Sequence, residues 1–304
     1  MGIILEKDTK MSNPMKKGNA RYSVRMVRDN IYDPRLKVPI REKLKGQTLF
    51  SPDKNVTFAI NGLLDQTDMN ILIALEAVKR KKFKKDGAVS YVFSIRELQK
   101  VLGISSKTNH KWIKEKLEYL KSRTVIISII NNNKEVKINT SILRKWGYAT
   151  ELKNLQDKRG KTVFGDNALF FITIENEFAS VIEKDLHVYI NNDSYKKLIG
   201  IRNGYAQMII KFLLTQKANE EYKIGLDKAL EKIGVTPDKI DSESSYRQIK
   251  NRTRKHIKKY GKNFNITIDE NDIIHYIRTN TVFHDSTNLR NLPEIKNIIS
   301  RKTE

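Results

Sequence analysis

Apolar positions recur with helical period in some stretches of the chain and alternate in others. QTDMNILIALEAVKR (66–80) repeats Ile71, Leu72, Leu75 and Val78 on one face, which predicts a helix capped by Thr67 or Asp68. KRKKFKKDG (79–87) reads as a basic loop, and AVSYVF (88–93) alternates as a strand. Ser94 and Glu97 form the S-x-x-E start of a short helix, and Gly103 suits the left-handed position past its end. A longer helix over 106–123 has Ile113, Leu117 and Leu120 as its buried stripe. TVIISII (124–130) and KEVKI (134–138) flank an Asn-rich turn and predict a hairpin, with LFFITI (169–174) a further strand before the amphipathic FASVIEKD.

The same order then returns. NGYAQMIIKFLLTQ (203–216) is an apolar helix, EEYKIG (220–225) a short strand, and LDKALEKIGVT (226–236) a short helix ending at Gly234. A long basic helix over 246–260 follows, then strands FNITI (264–268) and IIHYI (273–277) around DEND. LGIS of the first pass sits against IGVT of the second. Helix, strand, short helix, glycine turn, long helix and hairpin is the order of a helix-turn-helix followed by a β-wing. The expected fold is α+β: two tandem winged-helix domains with a basic N-terminal arm. The expected division is an arm over 1–60, a first domain over 61–186, a second over 187–280 and a loosely structured tail over 281–304. The arm has ten basic and three acidic residues between Ser12 and Lys45, interrupted by Pro14, Pro34 and Pro39, and predicts at most short local structure. It reads equally well as a phosphate-tracking segment and as a solubilising leader.

Charge sharpens the reading. Fifty-eight basic against 35 acidic residues give a formal net charge of +23 across 304 residues. Self-repulsion on that scale is easiest to rationalise with a polyanionic partner, nucleic acid first and an acidic membrane surface second. The absence of cysteine excludes a disulfide scaffold, a Cys-ligated zinc finger and a thiol nucleophile, and is compatible with a cytoplasmic location. No apolar run approaches the ~18 residues of a membrane span.

Motifs for catalysis are incomplete. RGKT (159–162) has the end of a phosphate-binding loop, but Leu155 stands where its first glycine belongs. His110, His187, His256, His275 and His284 form neither HExxH nor His-x-His. The carboxylates of DENDII (269–274) are more economically a hairpin turn than a magnesium site. The sequence offers no positive evidence for an enzyme and calls for no cofactor or metal.

RQIKNRTRKHIKKYGK (247–262) carries eight Lys or Arg and no acid. On a helical wheel Tyr246, Ile249, Thr253, Ile257 and Tyr260 make one packing stripe. Arg247, Lys250, Arg254 and Lys258 repeat beside it, with Arg252, Lys255 and Lys259 filling much of the rest. Like charges at this spacing repel, and no acid within the run relieves them, so the pattern points to polyanion contact rather than a solvated face. Arg247, Gln248, Asn251 and Arg252 lie near the helix start, the end that reaches base edges, and are the candidate readers. Lys255, Lys258, Lys259 and Lys262 lie later and are the candidate phosphate contacts, with Lys250 and Arg254 on the same gripping surface. In the first domain Lys107, Thr108, His110, Lys111 and Lys114 correspond, with Glu115 and Glu118 diluting their charge.

The chain resembles the iteron-plasmid replication initiators, Rep proteins built from two tandem winged-helix domains. The carrying residues are LLDQTDMNILIALEA, FSIRELQKVLGISSKTNHKWIKEKLEYLKS and HVYINNDSYKKLIGIRNGYAQMIIKFLLTQ, and the resemblance covers about 61–279. It implies recognition of direct repeats in double-stranded origin DNA, opening of AT-rich DNA and recruitment of host replication proteins. It also implies a homodimer through the first domain, with the strands around 124–138 and 169–174 as its interface. The long basic N-terminal segment and SILRKWGYATELKNLQDKRGKTVFGDNA (141–168) depart from the family pattern. The same folds serve a transcription regulator, and the sequence separates the two poorly.

Overall fold

The computed structural model describes residues 19–53, 56–78, 82–85, 88–104, 109–131, 134–149, 169–176, 178–179, 187–216, 221–277 and 282–284. The chain opens with strand β1 (Asn19–Ser23) and helices α1 (Val24–Arg28) and α2 (Ile40–Lys45). A hairpin of β2 (Gln47–Asp53) and β3 (Val56–Asn61) leads into α3 (Gln66–Ala77). Then come β4 (Lys82–Lys85), β5 (Ala88–Ser94), α4 (Ile95–Val101), α5 (Asn109–Lys121), β6 (Thr124–Asn131), β7 (Lys134–Ser141), β8 (Leu143–Ala149) and β9 (Leu169–Ile174). The second half runs β10 (His187–Asn191), α6 (Asn192–Ile199), α7 (Gly204–Leu214), β11 (Tyr222–Gly225), α8 (Leu226–Lys232), α9 (Glu243–Tyr260), β12 (Ile266–Ile268), β13 (Ile273–Tyr276) and β14 (Val282–His284).

Local signals place most helix ends. Ser94 accepts from the Glu97 amide while Glu97 reaches back to the Ser94 amide, the expected capping box. Gly103 and Gly234 take φ of 65° and 80°, the left-handed turn after each short helix. The cap of α3 is Asp65 rather than Thr67 or Asp68. Its side chain accepts from the Thr67 and Asp68 amides, and Asp68 is the reciprocal partner.

The expected arm is a fold element wherever it is described. Tyr22, Val24, Met26, Val27, Ile31 and Tyr32 are buried, and β1 pairs antiparallel with β10. Three of its arginines are engaged internally. Arg21 meets Glu76 at 3.0 Å, Arg28 donates to the Thr215 carbonyl at the end of α7, and Arg35 is paired with Asp33 and Glu42. Residues 1–18 lie outside the described set. Weak periodicity concealed this because the partners of the segment are far away in sequence. In the tail, residues 282–284 form β14, which completes the sheet β1-β10-β14.

The hairpin β12–β13 after the second helix-turn-helix unit is joined by β11, which precedes α8, in one small sheet of order β11-β13-β12, the arrangement of a winged helix. The first unit repeats the element order but divides its strands. The hairpin β6–β7 extends β2–β3, while β5 joins β4, β9 and β8. Part of the predicted basic loop is therefore the strand β4, at the edge of its sheet. Part of the extra segment 141–168 is β8. Its Gly147 leaves room for the Phe171 ring, since a Cβ there would lie 2.4 Å from Phe171 Cζ. Strand β9 lies between β5 and β8 and has no free edge, whereas β7 is an edge strand.

Helix α3 is buried almost all round, and its polar residues hold the two halves together. On α7, the fully buried Lys211 ammonium lies 2.8 Å from both Gln66 Oε1 and Asn70 Oδ1, with Met69 Sδ at 3.6 Å. Asn70 also donates to Gln207, and its carbonyl accepts from Tyr195. Burial among amide oxygens and a thioether, with no carboxylate among these partners, pulls the Lys211 pKa down to about 7. Between that value and the 10.5 of an exposed lysine, the unfolded chain holds a proton that the folded chain lacks. Stability contributed by this site therefore rises with pH across the window, by about 1.4 kcal/mol per unit. Urea melts of the wild type between pH 7 and 9 are expected to show this slope, and Lys211→Met to remove it. Equal slopes in the two proteins would refute the assignment.

Candidate DNA-binding surface

Helix α9 begins at Glu243, three residues before the sequence-predicted start, because Ser242 caps it by accepting from the Ser245 amide at 3.1 Å. Its inward stripe is as expected: Thr253 and Ile257 are buried, and Tyr246, Ile249 and Tyr260 are half-buried. The opposite face presents Arg247, Gln248, Asn251, Arg252, Lys255, Lys258 and Lys259, all exposed, and Lys262 follows them beyond the helix end. At ~100° per residue, Gln248, Asn251 and Lys255 sit at the centre of this face with the remaining cations around them. Arg247 carries an exposed ion pair with Glu243 at 2.5 Å, which at that exposure contributes little.

Lys250 and Arg254 behave differently from their neighbours. Lys250 Nζ lies 2.7 Å from Asp227 of α8 and 3.3 Å from Asp272 of the wing turn. Arg254 Nε lies 2.6 Å from Asp272, and its Nη2 donates to the Asp269 carbonyl at 3.3 Å. Beyond the exposed Arg247–Glu243 pair, acids distant in sequence therefore relieve two more cations of the run, which the local sequence did not show. Asp227 and Asp272 are the residues sequence reasoning missed. They lie 23 and 22 positions from Lys250 in the chain, and no helical or strand spacing links them to it.

DEND is a hairpin turn. Asp269 accepts from the Ile273 amide at 2.8 Å, and Asp272 takes a φ of 60°. His275 sits between Asp269 and Glu221, at 3.2 and 2.6 Å, and these two acids raise its pKa, Asp269 the more strongly. His256 rests at the core edge, stacked on Tyr260.

In the first unit, Lys107 and Thr108 lie outside the described residues, as does the His110 side chain. Lys111 is exposed and Lys114 lies 4.7 Å from the centre of the Tyr148 ring, where burial lowers its pKa. Glu115 and Glu118 are exposed on the same helix. The inner side of α5 instead carries Lys116, which reaches Asp65 at 3.3 Å and Asp68 at 2.9 Å, beside Lys43 on the same two acids.

A helix-turn-helix with a three-stranded wing and a cationic second helix defines a winged-helix protein. The chain belongs to the replication initiator family: the family described as "Initiator Replication protein, WH1" matches residues 53–214, more than half of its length. No curated protein matches it. Among solved structures, domains 2 and 3 of RctB align with a TM-score of 0.52 at 10% identity, covering 86% of this chain and 95% of that one. At that identity the likeness is one of fold. The Pi initiator protein in complex with iteron DNA aligns at 0.44 and 12% identity, covering 88% of this chain and 100% of that one. No helix among the described residues is long and apolar enough to cross a membrane.

Proposed function

We propose that this protein initiates replication by binding direct repeats in double-stranded origin DNA, without catalysis of its own. Helix α9 enters the major groove, with Gln248, Asn251 and Arg252 toward base edges and Lys255, Lys258, Lys259 and Lys262 toward phosphates. The observation that carries this reading is the exposed, acid-poor face of α9, with two amide side chains at its centre, in a chain of the initiator family. The first unit, as a second winged helix, contacts an adjacent groove more weakly through Lys111 and the start of α5. Opening of AT-rich DNA, recruitment of host replication proteins and dimerisation through the first unit complete the proposal. For the dimer, the free edge of β7 is the available strand, since β9 is enclosed.

Footprinting on the DNA flanking the gene tests it. Several protected direct repeats of about 20 bp, two major-groove turns each, are expected beside a stretch made permanganate-reactive by the protein. A single protected operator without melting would replace initiation with transcriptional regulation. Protection without any preferred site would refute sequence reading altogether.

A further inference from the structure

The four charges Asp227, Lys250, Asp272 and Arg254 form a chain across three elements. Asp227 lies on the first turn of α8, Lys250 and Arg254 one turn apart on α9, and Asp272 in the wing turn. Asp227 also accepts from the Tyr246 hydroxyl at 3.0 Å. The Asp272 carbonyl accepts from the Leu226 amide at 2.8 Å, so the same residue ties the wing to the start of α8 through its backbone. Lys250 and Arg254 are only 26% and 37% exposed, against 72% for Arg247 on the neighbouring face. Long cationic side chains on a free helix face extend into solvent, and these two are folded back onto acids instead.

We propose that Asp227 and Asp272 are positioning residues. They withdraw Lys250 and Arg254 from the phosphate-binding surface and use them to fix the wing and α8 against the reading helix. This inference rests on the DNA-reading function proposed above. Its physical basis is a division of labour among cations. An arginine free to meet phosphate adds affinity for every sequence alike, whereas one that fixes the angle of the helix adds discrimination between sequences. Two acids beside a helix that must approach a polyanion weaken attraction, and their cost is offset by a helix that presents Gln248, Asn251 and Arg252 in a single orientation.

The test uses the full-length chain, a duplex containing its own protected repeat and a random duplex of equal length, titrated over a range of salt. Lys255→Met is expected to flatten the dependence of log affinity on log salt by about 0.9, the loss of one phosphate contact. Arg254→Met and Lys250→Met are expected to leave that slope unchanged and to reduce preference for the repeat over the random duplex by roughly tenfold. Asp272→Asn keeps a residue tolerant of the left-handed conformation and frees Arg254. It is expected to steepen the slope on random DNA by about 0.9 while also reducing preference.

If Arg254→Met flattens the slope as Lys255→Met does, Arg254 grips phosphate and the proposal is wrong. Unchanged preference in Asp272→Asn overturns it equally. A general loss of folding would depress binding to both duplexes together, and circular dichroism melts of each variant separate that outcome. If Asp272→Asn unfolds, the two cation variants carry the test without touching the turn. If the wild type does not prefer its repeat, the DNA-reading function fails, while the slopes still decide where Lys250 and Arg254 point.

Discussion

Replacing Lys116 by methionine is expected to lower the free energy of unfolding by about 3–5 kcal/mol, the cost of leaving a buried charge without its partner. Lys116 and Lys43 share Asp65 and Asp68, and both carboxylates are fully buried. The four charges balance, and they join α2, the cap of α3 and the inner face of α5. Remove one cation and two carboxylates face a single ammonium. Burial, with Asp65 beside it, already holds the Asp68 carboxyl above the usual carboxylate range. In the variant Asp68 is the group expected to take a proton. A folded-state pKa above the unfolded one adds stability as pH falls through it, so the deficit of Lys116→Met should narrow from pH 8 to pH 5. Adding Asp68→Asn should restore much of the loss, because the remaining pair is balanced again. Urea melts of the single and double variants at both pH values check this. A single variant as stable as wild type would show that the cluster contributes nothing.

The second large effect is on DNA binding. Lys255, Lys258 and Lys259 are exposed on one face of α9, and none has an ion-pair partner among the described residues. Changing all three to Ala is expected to flatten the salt dependence by up to ~2.7 and to weaken binding roughly a hundredfold at physiological salt. The loss should be uniform across sequences, since phosphate contacts carry no base information. Asn251→Ala should behave in the opposite way, changing preference at particular base pairs by about 1–3 kcal/mol with the salt slope intact. Fluorescence anisotropy at several salt concentrations distinguishes the two. Alanine is a good helix former and the positions are exposed, so the melting temperature should hold. If the triple variant binds as wild type does, α9 is not the grip.

Much of this was legible in the chain. The S-x-x-E box at Ser94, the glycines after each short helix and the stripe from Tyr246 to Tyr260 are local signals, as is the pairing of β6 with β7 across a turn whose residues 132–133 lie outside the described set. Each is fixed by contacts a few residues apart. The cationic face of α9 follows from the same periodicity, because the buried stripe dictates which side chains remain outside. Residues 19–53 gave no such signal. The apolar residues of β1 and α1 are spaced irregularly because they answer to distant partners, β10, α3 and α7.

The sequence by itself determined the helices, their caps and their turns, the recurrence of element order, and a basic helix with one apolar side. Only the tertiary structure decided which cations of that helix are free. Lys250 and Lys255 look alike in the run, since both are lysines on a basic helix without a local acid. Their difference comes from Asp227 and Asp272, brought beside Lys250 by a turn of α8 and by the wing. The same is true of Asp65 and Asp68, whose pairing with Lys43 and Lys116 spans 22 to 51 residues. Helical periodicity acts over a few residues, whereas the pairing of charges depends on which surfaces the packed core brings together.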